Sequence, residues 1–219
     1  MKLDTEPYTQ QLTRWPQEGH VILAQFDADS VIVYQAYRPA IGNFAAENGY
    51  FGGPFKLTRM TWIKPNFLWM MYRCGWATKE GQEVVLAIRL QRSAFDHILS
   101  TAIHSSFKSD VYGTRDEWKR AVDESDVRLQ WDPDHDPKGE KVERRAIQLG
   151  LRNDAVLNYA REWILDVHDV SGLVAEQREH ALSGQYDQLL IPSENIYPVT
   201  DASVSAKLGL STSTHKTAK

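Results

Sequence analysis

At 219 residues, with 42% hydrophobic and 11% aromatic content, the chain suits one large domain with a real core and is too short for several. A single cysteine, Cys74, excludes an intramolecular disulfide framework and any zinc site built on cysteines. No apolar leader opens the sequence and no run approaches the ~18 apolar residues of a membrane span. The expectation is a cytoplasmic protein with no membrane partner.

The formal charge of −4 hides an asymmetry. From Arg59 to Arg92 basic residues outnumber Glu80 and Glu83, whereas from Asn153 to Asp201 acids dominate. A basic face on an acidic body suits a nucleotide or nucleic-acid ligand. No zinc finger or aromatic RNP strand marks a dedicated nucleic-acid-binding fold.

In chain order, His20–Asp27 and Ser30–Tyr37 are β-rich runs separated by Ala28-Asp29, which predicts a hairpin. Pro39–Asn48 predicts a helix, with proline in its first turn and Gly49 as its stop. Gly52-Gly53-Pro54 is a loop, Arg59–Lys64 a short strand and Phe67–Trp76 a helix. Val84–Gln91 is a strand, and Ser93 is placed to cap a helix through Ala102. Thr114-Arg115-Asp116-Glu117 is a capping box opening a helix to about Glu124. Val127–Trp131 and Ala146–Leu151 return as strands, followed by a helix over Asp154–Glu162 and a strand over Trp163–Val170. Ser171 is placed to cap a helix that Gly184 ends, and Gln188–Ile191 and Ile196–Val199 are the last strand-like runs. Residues 203–219 are polar and rich in Ser, Thr and Lys, which predicts disorder. Mixed strands and helices without βαβ rhythm give an α+β fold. The predicted organisation is an N-terminal arm (1–19), a single domain (20–200) with a mixed or antiparallel central sheet, and a disordered tail (201–219).

The chemistry concentrates at Thr61-Trp62-Ile63-Lys64-Pro65-Asn66-Phe67, where a lysine sits inside an apolar, aromatic segment. Lysine is strongly hydrated, so such a setting implies an anionic partner or a chemical role, set against a structural lysine that snorkels to the surface. Pro65 biases Lys64 toward extended backbone and lets a helix open just after it. The free amides of that helix start would favour a phosphate or carboxylate. Arg38, at the end of Tyr34-Gln35-Ala36-Tyr37-Arg38-Pro39, could clamp a phosphate through two parallel hydrogen bonds. His104-Ser105-Ser106 has no nucleophile elbow beside it and reads as a helix end. Asp132, Asp134, Asp136 and Glu143 fall at calcium-loop positions, but Pro137 in place of the expected glycine argues against an EF-hand. On a loop stiffened by two prolines, those aspartates would pair with Arg144 and Arg145, or bind Mg²⁺.

Five long segments resemble a family of uncharacterised proteins of unknown function: Val33–Pro39, Phe51–Phe55, Trp62–Arg73, Arg128–His135 and Arg144–Leu151. Together they span roughly Val21 to Val199, and the family implies no established activity. Tyr34-Gln35-Ala36-Tyr37-Arg38, the following helix with Ala45, and Gly49-Tyr50-Phe51 are also similar to the opening of ADP-ribosyltransferase-like domains. Val84–Leu90 resembles the central strand of those domains, and Leu189–Pro192 with Ile196-Tyr197-Pro198 their last strand pair. That resemblance implies an ADP-ribosyltransferase-like fold, with Gln35 or Arg38 on an NAD ribose and Thr61 or Tyr72 flanking the nicotinamide. The chain departs from the pattern in two places. It has no Tyr-His-Gly opening, and Gln185 and Gln188 stand where a catalytic glutamate precedes the last strand, with Glu194 following.

The resulting expectation is a nucleotide-binding transferase that uses NAD or ATP to modify a nucleic acid or a protein. Its catalytic set is Lys64, Arg38 and Gln35. Its nucleotide-binding set is Tyr34, Tyr37, Thr61, Trp62, Asn66, Arg73, Arg144, Arg145 and Gln148. One alternative is a Lys64-dependent nucleotidyltransferase of the RNA-ligase kind, with Mg²⁺ on Asp132, Asp134 and Asp136. The other is a non-catalytic module that binds RNA or a partner protein.

Overall fold

The computed structural model describes residues 3–211. Its architecture is α+β in one compact unit, built on a curled, mixed sheet. Ser30–Tyr37 and Ile164–Asp169 flank Val84–Gln91, both antiparallel to it. Lys141–Leu151 pairs antiparallel with Val127–His135 and with Thr61–Ile63, and in parallel with Gly19–His20. A two-hydrogen-bond bridge joins these sheets: the Tyr34 amide donates to the Lys64 carbonyl at 2.7 Å, and the Lys64 amide to the Tyr34 carbonyl at 3.3 Å. Lys64 therefore sits at the seam of the fold.

Alternation along the strands explains the layering. Val31, Val33, Leu86, Ile88 and Leu90 face one core, which also takes Val127, Leu129, Ile147, Leu149 and Leu151 from the second sheet. Ile32, Tyr34, Val85 and Ala87 face a second core under the helices Phe67–Cys74 and Ser171–Ser183. Burial on both faces accounts for the nearly continuous apolar runs of Ser30–Tyr37 and Val84–Gln91. Both strands form within the predicted bounds, as does the Pro39–Asn48 helix with Gly49 at φ +74° as its left-handed stop. The capping box is present: Thr114 accepts from the Glu117 amide while Glu117 accepts from the Thr114 amide.

Several expectations are corrected. Asp132–His135 is not a loop, because Val127–His135 continues as strand through it. Pro133 sits opposite Arg145 beside a register shift, where the ladder tolerates its missing N–H. Ser93 and Ser171 do not cap helices: Arg92 and Ser171 already open theirs, and neither helix has a side-chain cap. The Ser171 hydroxyl accepts instead from the Val85 amide. The expected hairpin strand over His20–Asp27 is reduced to Gly19–His20 and Leu23–Ala24, with an isolated Phe26–Val31 bridge.

Both ends of the described chain are built into the unit. Thr5–Pro7 pairs with Leu190–Pro192, and buried Gln11 donates to the Ile191 and Pro192 carbonyls. Within the expected disordered tail, Ala202–Leu208 is a helix capped by Asp201. It is held because Leu208 is fully buried and its carbonyl accepts from the Trp131 indole at 2.9 Å. Residues 212–219 of that tail lie outside the described residues.

Candidate functional site

Past the Tyr34–Lys64 bridge, the Ser30–Tyr37 and Thr61–Ile63 strands diverge, and a cavity of about 500 Å³ opens beside the seam. Gln35, Tyr37 and Arg38 line it from one strand, and Thr61, Trp62 and Lys64 from the other. The loop carrying Lys56 and Arg59 forms one wall, while Arg73 of the Phe67–Cys74 helix and Gln148 of the Lys141–Leu151 strand close it. This volume falls in the range of small-molecule sites.

Charge is the decisive property. Arg38, Lys56, Arg59, Lys64 and Arg73 all line the cavity, and among the described residues no aspartate or glutamate does. Across the whole chain acids outnumber bases, so five cations without a lining carboxylate is a local concentration of positive potential. Arg38, Lys56 and Arg59 are exposed, and no side-chain hydrogen bond or ion pair holds any of them among the described residues. Arg73 donates to Gln82 at 3.3 Å.

Lys64 differs from the other four. It is only 5% exposed, and among the described residues its ammonium has neither a hydrogen-bond acceptor nor an ion-pair partner. Burial pulls its pKa down to about 8, the Arg73 charge adds to that, and Asp132 and Cys74 oppose it. A lysine near pKa 8 has a substantial neutral fraction at physiological pH, so it can act as a nucleophile or a base as well as a cation.

A hydrogen-bonded clasp holds the inner wall. Gln35 Nε2 donates to Thr61 Oγ1 at 2.7 Å and to the Trp62 carbonyl at 3.0 Å, and Gln35 Oε1 accepts from the Tyr159 hydroxyl at 2.6 Å. The Tyr37 hydroxyl lies 2.8 Å from Thr61 Oγ1. With its amide fully engaged, Gln35 fixes the angle between the diverging strands rather than presenting a group to a ligand. Trp62 is set by Gly150: a Cβ there would lie 2.8 Å from Met60 Sδ and 3.0 Å from the Trp62 ring. Only glycine lets that indole lie against the strand.

The structure thus brings together Gln35, Tyr37, Arg38, Thr61, Trp62, Lys64, Arg73 and Gln148 of the expected set. Tyr34 is not with them; it points into the second core, edge-on to Phe67. Asn66 caps the Phe67–Cys74 helix by accepting from the Trp69 amide at 2.6 Å. The acceptor expected at that helix start is the protein's own: the Glu194 carboxyl, fully buried, accepts from the Phe67 amide at 2.6 Å and from Asn66 Nδ2 at 3.3 Å. Burial pushes the Glu194 carboxyl well up, against the pull of the Phe67 amide. Arg144 is spent on Asp134 in a buried ion pair of 2.7 Å and also donates to the Pro16 carbonyl. Arg145 lines a separate cavity with His20 and His104.

The three aspartates do not share a site. Asp134 belongs to Arg144, and Asp136 accepts from the Lys138 and Glu140 amides of its own turn. Asp132 accepts from Gln130 and Gln148. Among the described residues no three His, Cys, Asp or Glu side chains are grouped to hold a metal. The expected Mg²⁺ set therefore does not fit these residues.

Lys56 and Arg59 were not expected as site residues. Their sequence signal is the pair of bases placed just after the Gly52-Gly53-Pro54 loop, which brings them to the same cavity as Arg38.

Residues 21–197 match the family described as Domain of unknown function (DUF4291). The chain belongs to this family. The match includes every residue that lines the cavity. It stops short of the N-terminal strand and the Ala202–Leu208 helix, which pack onto the family core. No curated protein matches the chain. No helix among the described residues is long and apolar enough to cross a membrane.

Proposed function

We propose that the protein is a transferase that binds a nucleotide, NAD or ATP, in the Lys64 cavity and passes part of it to a nucleic acid or a protein. The observation that carries this reading is the convergence of five cations, with no lining carboxylate, on a cavity of nucleotide size. Arg38, Arg59, Lys56 and Arg73 are free enough to meet phosphate oxygens with charge-assisted hydrogen bonds. Lys64, in the drier interior, stabilises charge that moves during transfer. Tyr37 and Trp62 supply aromatic surface for a base or a nicotinamide.

The similarity to ADP-ribosyltransferase-like domains supports the NAD form, since the strand ending in Arg38 would then border the donor. The lining offers no glutamate for the usual chemistry, and Glu194 is committed to the Phe67–Cys74 helix start. In the NAD form the cations would carry the reaction.

A second reading is favoured by Lys64, a mostly buried side chain that lines the cavity and whose ammonium has no partner among the described residues. In the ATP form its neutral amine attacks the α-phosphorus and a P–N bond forms. The α–β P–O bond breaks, pyrophosphate leaves, and the amine proton passes to solvent. The aspartates do not supply a metal cage, and no step is assigned to a metal. Peptide-mapped intact mass after incubation with NAD, and separately with ATP plus Mg²⁺, distinguishes the forms. An AMP adduct on Lys64 establishes the covalent route. An ADP-ribose adduct that Arg38→Ala abolishes establishes the NAD route. Strong, salt-sensitive RNA binding with no adduct and no turnover would replace both with a binding module.

A further inference from the structure

Three glutamines line the cavity, and their amides are not equivalent. Gln35 Oε1 accepts from Tyr159, and Gln82 Oε1 accepts from Arg73. Gln148 is different. Its Nε2 donates to Asp132 Oδ2 at 2.7 Å, while Gln130 Nε2 donates to Asp132 Oδ1 at 2.8 Å. An ionised carboxylate only accepts, so each glutamine must turn its NH₂ end to Asp132. Gln148 Oε1 is thereby fixed as the opposite end of the amide, with no donor among the described residues.

The lining is otherwise rich in donors. Lysine and arginine cannot accept, and Thr61 Oγ1 is already met by Gln35 and Tyr37. Among the described residues, Gln148 Oε1 is thus the side-chain carbonyl of the lining that no protein donor meets.

We propose that Gln148 Oε1 is the specificity determinant of the cavity, selecting phosphate-bearing ligands that also present an N–H or O–H donor, with Asp132 as the positioning residue that locks its amide. This rests on the nucleotide reading of the cavity. It deepens that reading by separating two functions: the cations hold phosphate of any origin, and Gln148 recognises the amide, amine or sugar hydroxyl that makes the ligand a nucleotide. Gln148 is half-buried, so a bound ligand would strip water from its Oε1, and a ligand that offers no donor there leaves that lost hydration unreplaced.

The test is calorimetric titration of wild type, Gln148→Met and Asp132→Asn with NAD, ATP and inorganic pyrophosphate, with thermal melts of each variant as a folding control. Gln148→Met should weaken the nucleotide that wild type binds by about 10- to 100-fold, the range of one lost hydrogen bond to an otherwise unsatisfied group. Pyrophosphate affinity should stay within about twofold, since the cations that hold it are unchanged. Asp132→Asn frees the Gln148 amide to flip and removes a negative charge near the cations. It should weaken the nucleotide while leaving pyrophosphate unchanged or tighter, whereas a merely structural role would weaken both together. Equal loss of all ligands in both variants, or no loss of nucleotide in Gln148→Met, overturns the proposal and leaves the nucleotide reading standing. Failure of wild type to bind pyrophosphate, NAD or ATP would sink the nucleotide reading, and this inference with it.

Discussion

Replacing Lys64 with methionine separates the cost of this residue to the fold from its use to the site. Burial lowers its pKa from the ordinary lysine value of 10.5 to about 8. The sign follows from proton counting. Between pH 8 and 10.5 the unfolded chain holds a proton that the folded chain has released, so stability rises with pH across that window. Below pH 8 both states are protonated and the full cost of the buried charge is present. That cost is about 3 kcal/mol at pH 7 and about 1.5 kcal/mol at pH 9.5. Lys64→Met keeps a similar volume and removes the charge, so it should be more stable than wild type at pH 7 by up to about 3 kcal/mol. The advantage should shrink by roughly half on going to pH 9.5. Urea unfolding of both proteins at the two pH values measures this directly. A destabilised variant at pH 7, or a difference that does not change with pH, would refute a desolvated Lys64 with a lowered pKa. The same variant should lose the AMP adduct if the covalent route operates.

Removing Arg144 as leucine leaves the Asp134 carboxylate buried without its counter-charge, and should cost about 3–5 kcal/mol in urea unfolding. Recovery of most of that loss in an Asp134→Asn, Arg144→Leu double variant would identify the unpaired charge as the cause. At the Phe67–Cys74 helix start, Glu194→Leu removes the acceptor of the Phe67 amide and should cost about 1–3 kcal/mol, while Glu194→Gln keeps an acceptor and should cost less. Equal losses in a thermal melt would contradict the cap assignment. Gly150→Ala pushes Met60 and Trp62 from their places, and should weaken a nucleotide more than inorganic pyrophosphate in the same titration.

Much of the fold was legible because its strongest signals are local. Ser30–Tyr37, Pro39–Asn48 and Val84–Gln91 carry their own periodicity and stops, and the Thr114–Glu117 box is complete within four residues. Asp132–His135 was misread because Pro133 and Pro137 are turn signals. What overrides them is the Lys141–Leu151 ladder, a pairing that composition does not reveal. The Ala202–Leu208 helix has a weak apolar pattern and is stabilised by one buried leucine and a hydrogen bond to distant Trp131. At the site, the lysine among aromatics singled out Lys64, since an apolar context for a cation is visible in one dimension. Arg59 and Lys56 were hidden because only the fold brings the Pro54–Met60 segment to the cavity that Arg38 lines. Arg144 and Asn66 were misassigned for a related reason: the partners that satisfy them inside the protein, Asp134 for one and the Trp69 amide with Glu194 for the other, are not announced by the residues beside them.

The central claim is that the cations around Lys64 form a site for a phosphate-bearing ligand. It is tested most directly by titrating NAD and ATP into wild type and into an Arg38→Glu, Arg59→Glu variant, at low and at physiological salt. Both arginines are exposed, so the variant should keep the wild-type melting temperature within a few degrees. The account predicts saturable binding of at least one nucleotide, weakened by salt and lost in the variant. Binding that persists unchanged in the variant, or no binding to wild type at low salt, would contradict it.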